Sequence, residues 1–129
     1  MDDIPVTATI VLPLPPRVLS PNCPTGTRGG RFARARASAR YKALARSAAE
    51  SLQIHSSWER VTILATFYFK TNRRRDDVNH LAMLKAAYDG IVASGLLVDD
   101  DFTHLQTLPP KFLIDRENPR VELLITKIG

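Results

Sequence analysis

The chain has 129 residues, a formal net charge of +5, a hydrophobic content of 44% and a single cysteine, Cys23. Its length suits one domain that buries a core of its own, with an expected radius of gyration of roughly 14 Å. The composition excludes a disulfide scaffold, offers no run near the ~18 apolar residues of a membrane helix, and leads us to expect a soluble, intracellular (cytoplasmic) protein. Charge is sorted along the chain: residues 17–49 hold eight cations and no acid, and most of the acids fall after residue 75. A block of that kind calls for an anionic partner, most simply nucleic acid.

In chain order, residues 6–12, VTATIVL, alternate apolar and Thr residues before PLPP, the pattern of a strand running into a rigid loop. Residues 17–35 carry Pro21, Pro24, Gly26, Gly29 and Gly30 and are expected to form a mobile basic loop. A basic, Ala-rich helix follows over residues 35–52, with Tyr41, Leu44 and Leu52 on one face and Arg36, Arg40 and Arg46 on the other. Those arginines are candidate DNA contacts.

Residues 60–69, RVTILATFYF, are β-branched and aromatic and predict a central strand, with Trp58 just before it as a core or strand-edge aromatic. A second helix is expected from Asp77 to Ser94, where Leu81, Leu84, Tyr88, Ile91 and Val92 recur at helical spacing and Gly95 supplies the stop. Two more strands, at about 103–114 and 120–128, flank DRENPR, which reads as a hairpin connection. The expected architecture is a small single-domain α/β (α+β) fold in β-α-β-α-β-β order, one mixed sheet packed against two helices.

The chemistry gathers at RRRDDVNHL, residues 73–81. Asp76 and Asp77 stand where a helix begins, so an N-cap and a favourable first-turn charge explain them without further function. Asp99, Asp100 and Asp101 follow an apolar run and read as a solvated turn. Taken together the two clusters support a sharper reading. On a continuous helical wheel Asp77 falls within the arc of Leu81, Leu84 and Tyr88 and would point inward, where a carboxylate near other carboxylates needs a cation. Oxygen ligands of this kind suit Mg²⁺, with Mn²⁺ as a substitute, in metal-assisted phosphodiester hydrolysis. Arg73, Arg74 and Arg75, joined by Lys70 at the end of the preceding strand, would seat a phosphate through charged hydrogen bonds. Lys85 lies about 12 Å along a straight helix from Asp77. It either reaches the rim of such a pocket or pairs with Asp89 four residues on. His80 either touches a nucleophilic water or is a surface helix histidine.

The run RRRDDVN followed by LKAAYDGIVASGLLVDDD resembles the RusA family of Holliday junction resolvases. The first half is similar more loosely, through LPLPP, Asn22 and the helix near YKALARSA. The resemblance implies a homodimer that cuts DNA four-way junctions symmetrically with Mg²⁺, with no membrane and no nucleotide cofactor involved. By position, Asp76 matches the first acid of the family's Asp-x-Asp-Asn motif, Asn79 its asparagine, Lys85 its lysine, Asp100 the acid after the strand, and Asp99 that acid's neighbour. Val78 stands where the motif has its second acid, a place Asp77 would have to fill. In the other register Asp77 and Asn79 take the acid positions and His80 the asparagine's. A binding module whose acids merely cap a helix and decorate a turn, or an inactive relative, is the alternative.

Overall fold

In the computed structural model, residues 6–129 are described. They form β1 (Thr7–Leu12), α1 (Arg28–Glu50), β2 (Val61–Phe69), α2 (Asp77–Ala82), α3 (Lys85–Ala93), β3 (Leu105–Thr107), β4 (Lys111–Ile114) and β5 (Arg120–Lys127), with a 3-10 turn at Arg17–Leu19. The result is one mixed five-stranded sheet covered by α1 and α3, as the sequence led us to expect. No helix among the described residues is long and apolar enough to cross a membrane.

Strand β2 is the hub. It pairs antiparallel with β5 along its length, β5 pairs antiparallel with β1, and β3 and β4 both lie parallel to β2 along its other edge. Side chains alternate across a pleated sheet, so one face of each strand is apolar. Ala8, Ile10 and Leu12, then Val61, Ile63, Ala65 and Phe67, then Val121, Leu123 and Ile125 turn toward the helices and are buried. Tyr41, Ala45 and Ala49 of α1 and Ala87, Tyr88 and Ile91 of α3 complete that core, and Trp58 sits wholly within it, bridged to Leu97. The small side chains on α1 and α3 allow a close crossing. A Cβ placed on Gly90 would lie 2.3 Å from the carbonyl oxygen of Lys42.

The structure corrects five expectations. Residues 17–35 are not one loop: the 3-10 turn opens the segment, and α1 begins at Arg28, capped by the Thr27 hydroxyl accepting from Gly30 N at 3.0 Å. Arg34 ties the rest down, donating to the carbonyls of Val18 (3.0 Å), Ser20 (2.7 Å) and Cys23 (3.1 Å). Leu44 faces solvent, and Ala45 and Ala49 take the buried positions beside Tyr41.

The expected helix over 77–94 is two helices, broken at Leu84, whose φ of −90° and ψ of 0° lie outside the helical region. The segment expected as a single strand over 103–114 is divided by Pro109 and Pro110, which bring no N–H to a ladder. Thr107 opposes Ile63 while Lys111 opposes Thr66, so one extra residue bulges out between β3 and β4. DRENPR is not a hairpin, because β4 and β5 flank β2 on opposite sides and the connection must pass the end of β2. Asp115 organises that passage, accepting from Glu117 N (3.2 Å), Asn118 N (3.1 Å) and the Arg120 guanidinium (2.8 Å).

Candidate nucleic-acid and metal site

The loop from Phe69 to α2 leaves the sheet with three consecutive arginines and ends in a capped helix start. Asp76 is the N-cap, its Oδ1 accepting from Val78 N at 2.9 Å and Asn79 N at 3.4 Å. Asp77, in the first turn, accepts from Val78 N at 2.9 Å and is exposed. The inward orientation expected for Asp77 is therefore wrong. The wheel assumed one continuous helix, and the break at Leu84 decouples the phase of α2 from that of α3, so burying Leu84 and Tyr88 does not carry Asp77 inward. An acid at this place still complements the helix dipole from the solvent side.

An open cavity of about 390 Å³ lies at this helix start. Arg74, Arg75, Asp76, Asn79 and His80 line one side of it, and Arg17 and Asn22 of the loop after β1 line the other. Arg34 holds that loop in place through the three carbonyls it binds, so a side chain of α1 positions part of the cavity wall. Sequence reading singles out neither Arg17 nor Arg34 for this role. The one local signal for Arg17 is its place directly after a rigid Pro-Pro pair.

His80 is held from two directions. Its ring meets Phe67, Phe69 and Phe112 edge-on at 5.3–5.4 Å between centroids, and its Nδ1 lies 2.7 Å from the Asp76 carbonyl oxygen. A carbonyl only accepts, so Nδ1 carries the proton and Nε2 of the neutral ring is left as an acceptor. That is the nitrogen a general base uses.

Arg75 lies with its guanidinium carbon 4.0 Å from the Phe69 ring centroid and donates through Nη2 to the Thr71 carbonyl at 3.3 Å, while Nη1 is buried without a partner. Burial, with the neighbouring Arg73 second, lowers its pKa. Arg73, Arg74 and Lys70 are exposed.

The second acid cluster is wired differently. Lys85, at the start of α3, donates to Asp89 at 2.9 Å and also to Asp100, whose side chain is 18% exposed. Of the two outcomes expected for Lys85, the pairing with Asp89 is the one seen; Lys85 is not among the residues lining the cavity at the start of α2 and reaches the acid turn instead. The hydrogen bond from Lys85 holds the Asp100 carboxyl below the usual range, and the bonds to Asp100 and then Asp89 raise Lys85. Asp99 accepts from Asp100 N at 2.7 Å, and Asp101 closes its own turn through Thr103 N at 2.9 Å. Among the described residues no three His, Cys, Asp or Glu side chains are gathered into a group that could hold a metal ion. The side-chain oxygen donors that share one cavity are the Asp76 carboxylate and the Asn79 amide on one side and the Asn22 amide and Ser20 hydroxyl on the other. Such a set fits Mg²⁺, which keeps several waters and takes one or two carboxylates with substrate phosphate oxygens.

On α1, Arg36 and Arg40 are exposed, whereas Arg46 is paired with Glu50 at 3.1 Å. The three expected DNA-facing arginines are therefore not equivalent. In comparisons with known proteins, no family model and no curated protein matches this chain.

Proposed function

We propose that the chain is a Mg²⁺-dependent DNA endonuclease that resolves four-way junctions by symmetric phosphodiester hydrolysis as a homodimer. The observation that carries this reading is the cavity at the start of α2, where guanidiniums, a carboxylate, an amide and an imidazole converge. It agrees with the resemblance of residues 73–101 to the RusA resolvases.

In this reading Arg74 and Arg75 seat the phosphate beside the bond to be cut, through the forked donors that match its oxygens. Asp76 and Asn79 would hold Mg²⁺, which supplies an activated water and stabilises charge on the leaving oxygen. His80, its Nδ1 committed to the Asp76 carbonyl, offers Nε2 to take a proton from water. Lys85 holds Asp100 ionised in the acid turn, outside the cavity lining, so Asp100 would be available to the metal only if that pair opened. A two-fold dimer presents two such cavities to a two-fold junction, so two equivalent strands meet two equivalent sites.

A second reading is favoured by the engagement of both acids. Asp76 caps α2 and Asp100 pairs with Lys85, which gives each a structural role in a non-catalytic nucleic-acid-binding module. Incubation with a labelled four-way junction and a matched linear duplex, with and without Mg²⁺, separates the two. Cleavage of the junction alone, and only with Mg²⁺, supports the endonuclease. Binding with no cleavage under any divalent metal supports the module.

A further inference from the structure

A second cavity, of about 260 Å³, shares Arg75 with the cavity at the start of α2. Its walls are of two kinds. Phe69, Phe112, Leu113 and Ile114 make it apolar, and Asn72, Arg73 and Arg75 bring an amide and two guanidiniums. No acid lines it. Leu113 and Ile114 are 48% and 49% exposed, although each is a large apolar side chain on a strand paired only with β2. Arg75 lines both cavities, and its buried Nη1 has no hydrogen-bond partner.

Volume and chemistry narrow the ligand. The space is below the roughly 300–1,000 Å³ of sites that take a drug-sized molecule, which suits one flat ring system. Aromatic and aliphatic walls beside guanidiniums and an amide are what proteins use to stack an unpaired base and hydrogen-bond its edge. Because Arg75 belongs to both walls, a phosphate seated in the first cavity would carry its own base into the second.

We infer that this cavity captures one unpaired nucleobase of branched DNA, stacked among Phe112, Ile114 and the Arg75 guanidinium, while the adjoining phosphate occupies the cavity of Arg74 and Asp76. The inference rests on the nuclease reading for its substrate class and extends it. Fully paired duplex has no base to offer, so the cavity discriminates in favour of DNA with unpaired bases at the branch.

The test uses the full chain in EDTA, so that cleavage plays no part. Fluorescence anisotropy compares a short single strand with the same strand made abasic throughout, which keeps the phosphates and removes the bases. The intact strand should bind about tenfold tighter, the order of one stacking contact. Ile114→Ser should close that gap and leave the salt slope unchanged, because the phosphate contacts remain, whereas Leu113→Ser, paired with Tyr68 on the other face of the sheet, should keep it. Both positions are half-exposed, and an unaltered thermal melt would show that the variants fold.

Equal binding of intact and abasic strands by the parent, or no binding of either, would overturn the inference. So would a gap that survives in Ile114→Ser. An Ile114→Ser protein that keeps the gap but sediments as a monomer where the parent is a dimer would assign Ile114 to an interface between copies instead. Base-dependent binding by a protein that never cuts a junction with Mg²⁺ would sink the nuclease reading and keep the cavity. Junction cutting without base dependence would do the reverse.

Discussion

Gly90→Ala should destabilise the protein by about 2 kcal/mol although it adds a single methyl group in a helix. The new Cβ would stand 2.3 Å from the Lys42 carbonyl oxygen and 3.0 Å from both Ala45 Cβ and Arg46 N. Ordinary van der Waals contact needs roughly another 1 Å, so α1 and α3 must move apart. Overpacking of this kind costs about 1–3 kcal/mol, and here the upper end applies because the clash is with backbone that cannot swing away. The better helix propensity of Ala returns up to about 1 kcal/mol. For a domain of this size a net loss near 2 kcal/mol lowers Tm by roughly 8 °C. Thermal unfolding followed by far-UV circular dichroism reads the shift. Gly29→Ala is the control: it lies in the first turn of α1 with nothing within 4 Å of its added Cβ, and it should be neutral or slightly stabilising. A Gly90→Ala protein as stable as its parent would refute the close crossing of α1 and α3.

Three further expectations concern the charged groups. Asp76→Asn should abolish Mg²⁺-dependent cleavage while leaving junction binding intact or tighter, whereas Asp77→Asn, at an exposed position outside the cavity, should lower the cleavage rate less than tenfold; rates on a labelled junction decide, and equal losses would return Asp77 to the metal. The pair Lys85–Asp100 should stabilise the fold above the ordinary Asp pKa of about 3.9 and lose that contribution as pH falls through the depressed Asp100 value. With Lys85 largely exposed the effect stays below about 1 kcal/mol, and the Tm difference between parent and Asp100→Asn should shrink below about pH 4; a difference constant down to pH 2.5 would contradict the pairing. On α1, Arg36→Ala and Arg40→Ala should each reduce the log–log salt slope of duplex binding by about 0.9, and Arg46→Ala, already paired with Glu50, by less. Three equal reductions would show that the Glu50 pair opens on DNA.

Much of the scaffold was legible because local pattern and burial agree. The alternation through VTILATFYF survives as β2, with every second residue buried, and Tyr41, Ala45 and Ala49 keep the helical period of α1. The break at Leu84 was not legible, since HLAMLKAAYDG has neither Pro nor an early Gly and reads as one helix. Only the packing of Leu84 into the core and the separate phase of α3 reveal it, and the orientation of Asp77 went astray with it. DRENPR has the composition of a hairpin turn, yet pairing is decided by β2, which takes β4 on one edge and β5 on the other. Within the site, RRRDD announced itself by charge. Arg34 did not, because its three carbonyl partners lie eleven to sixteen residues away in a loop with no periodicity to betray the contact.

The most direct measurement is digestion of a supercoiled plasmid carrying an extruded cruciform, followed as supercoiled, nicked and linear DNA. Cutting one strand releases the supercoiling that holds the four-way junction open, so linear product requires two incisions within one encounter. Paired cavities on a two-fold dimer predict linear DNA as the first product, only with Mg²⁺, and its loss in Asp76→Asn. Nicked circles alone would contradict the paired mechanism, and no incision with Mg²⁺ or Mn²⁺ would contradict the endonuclease.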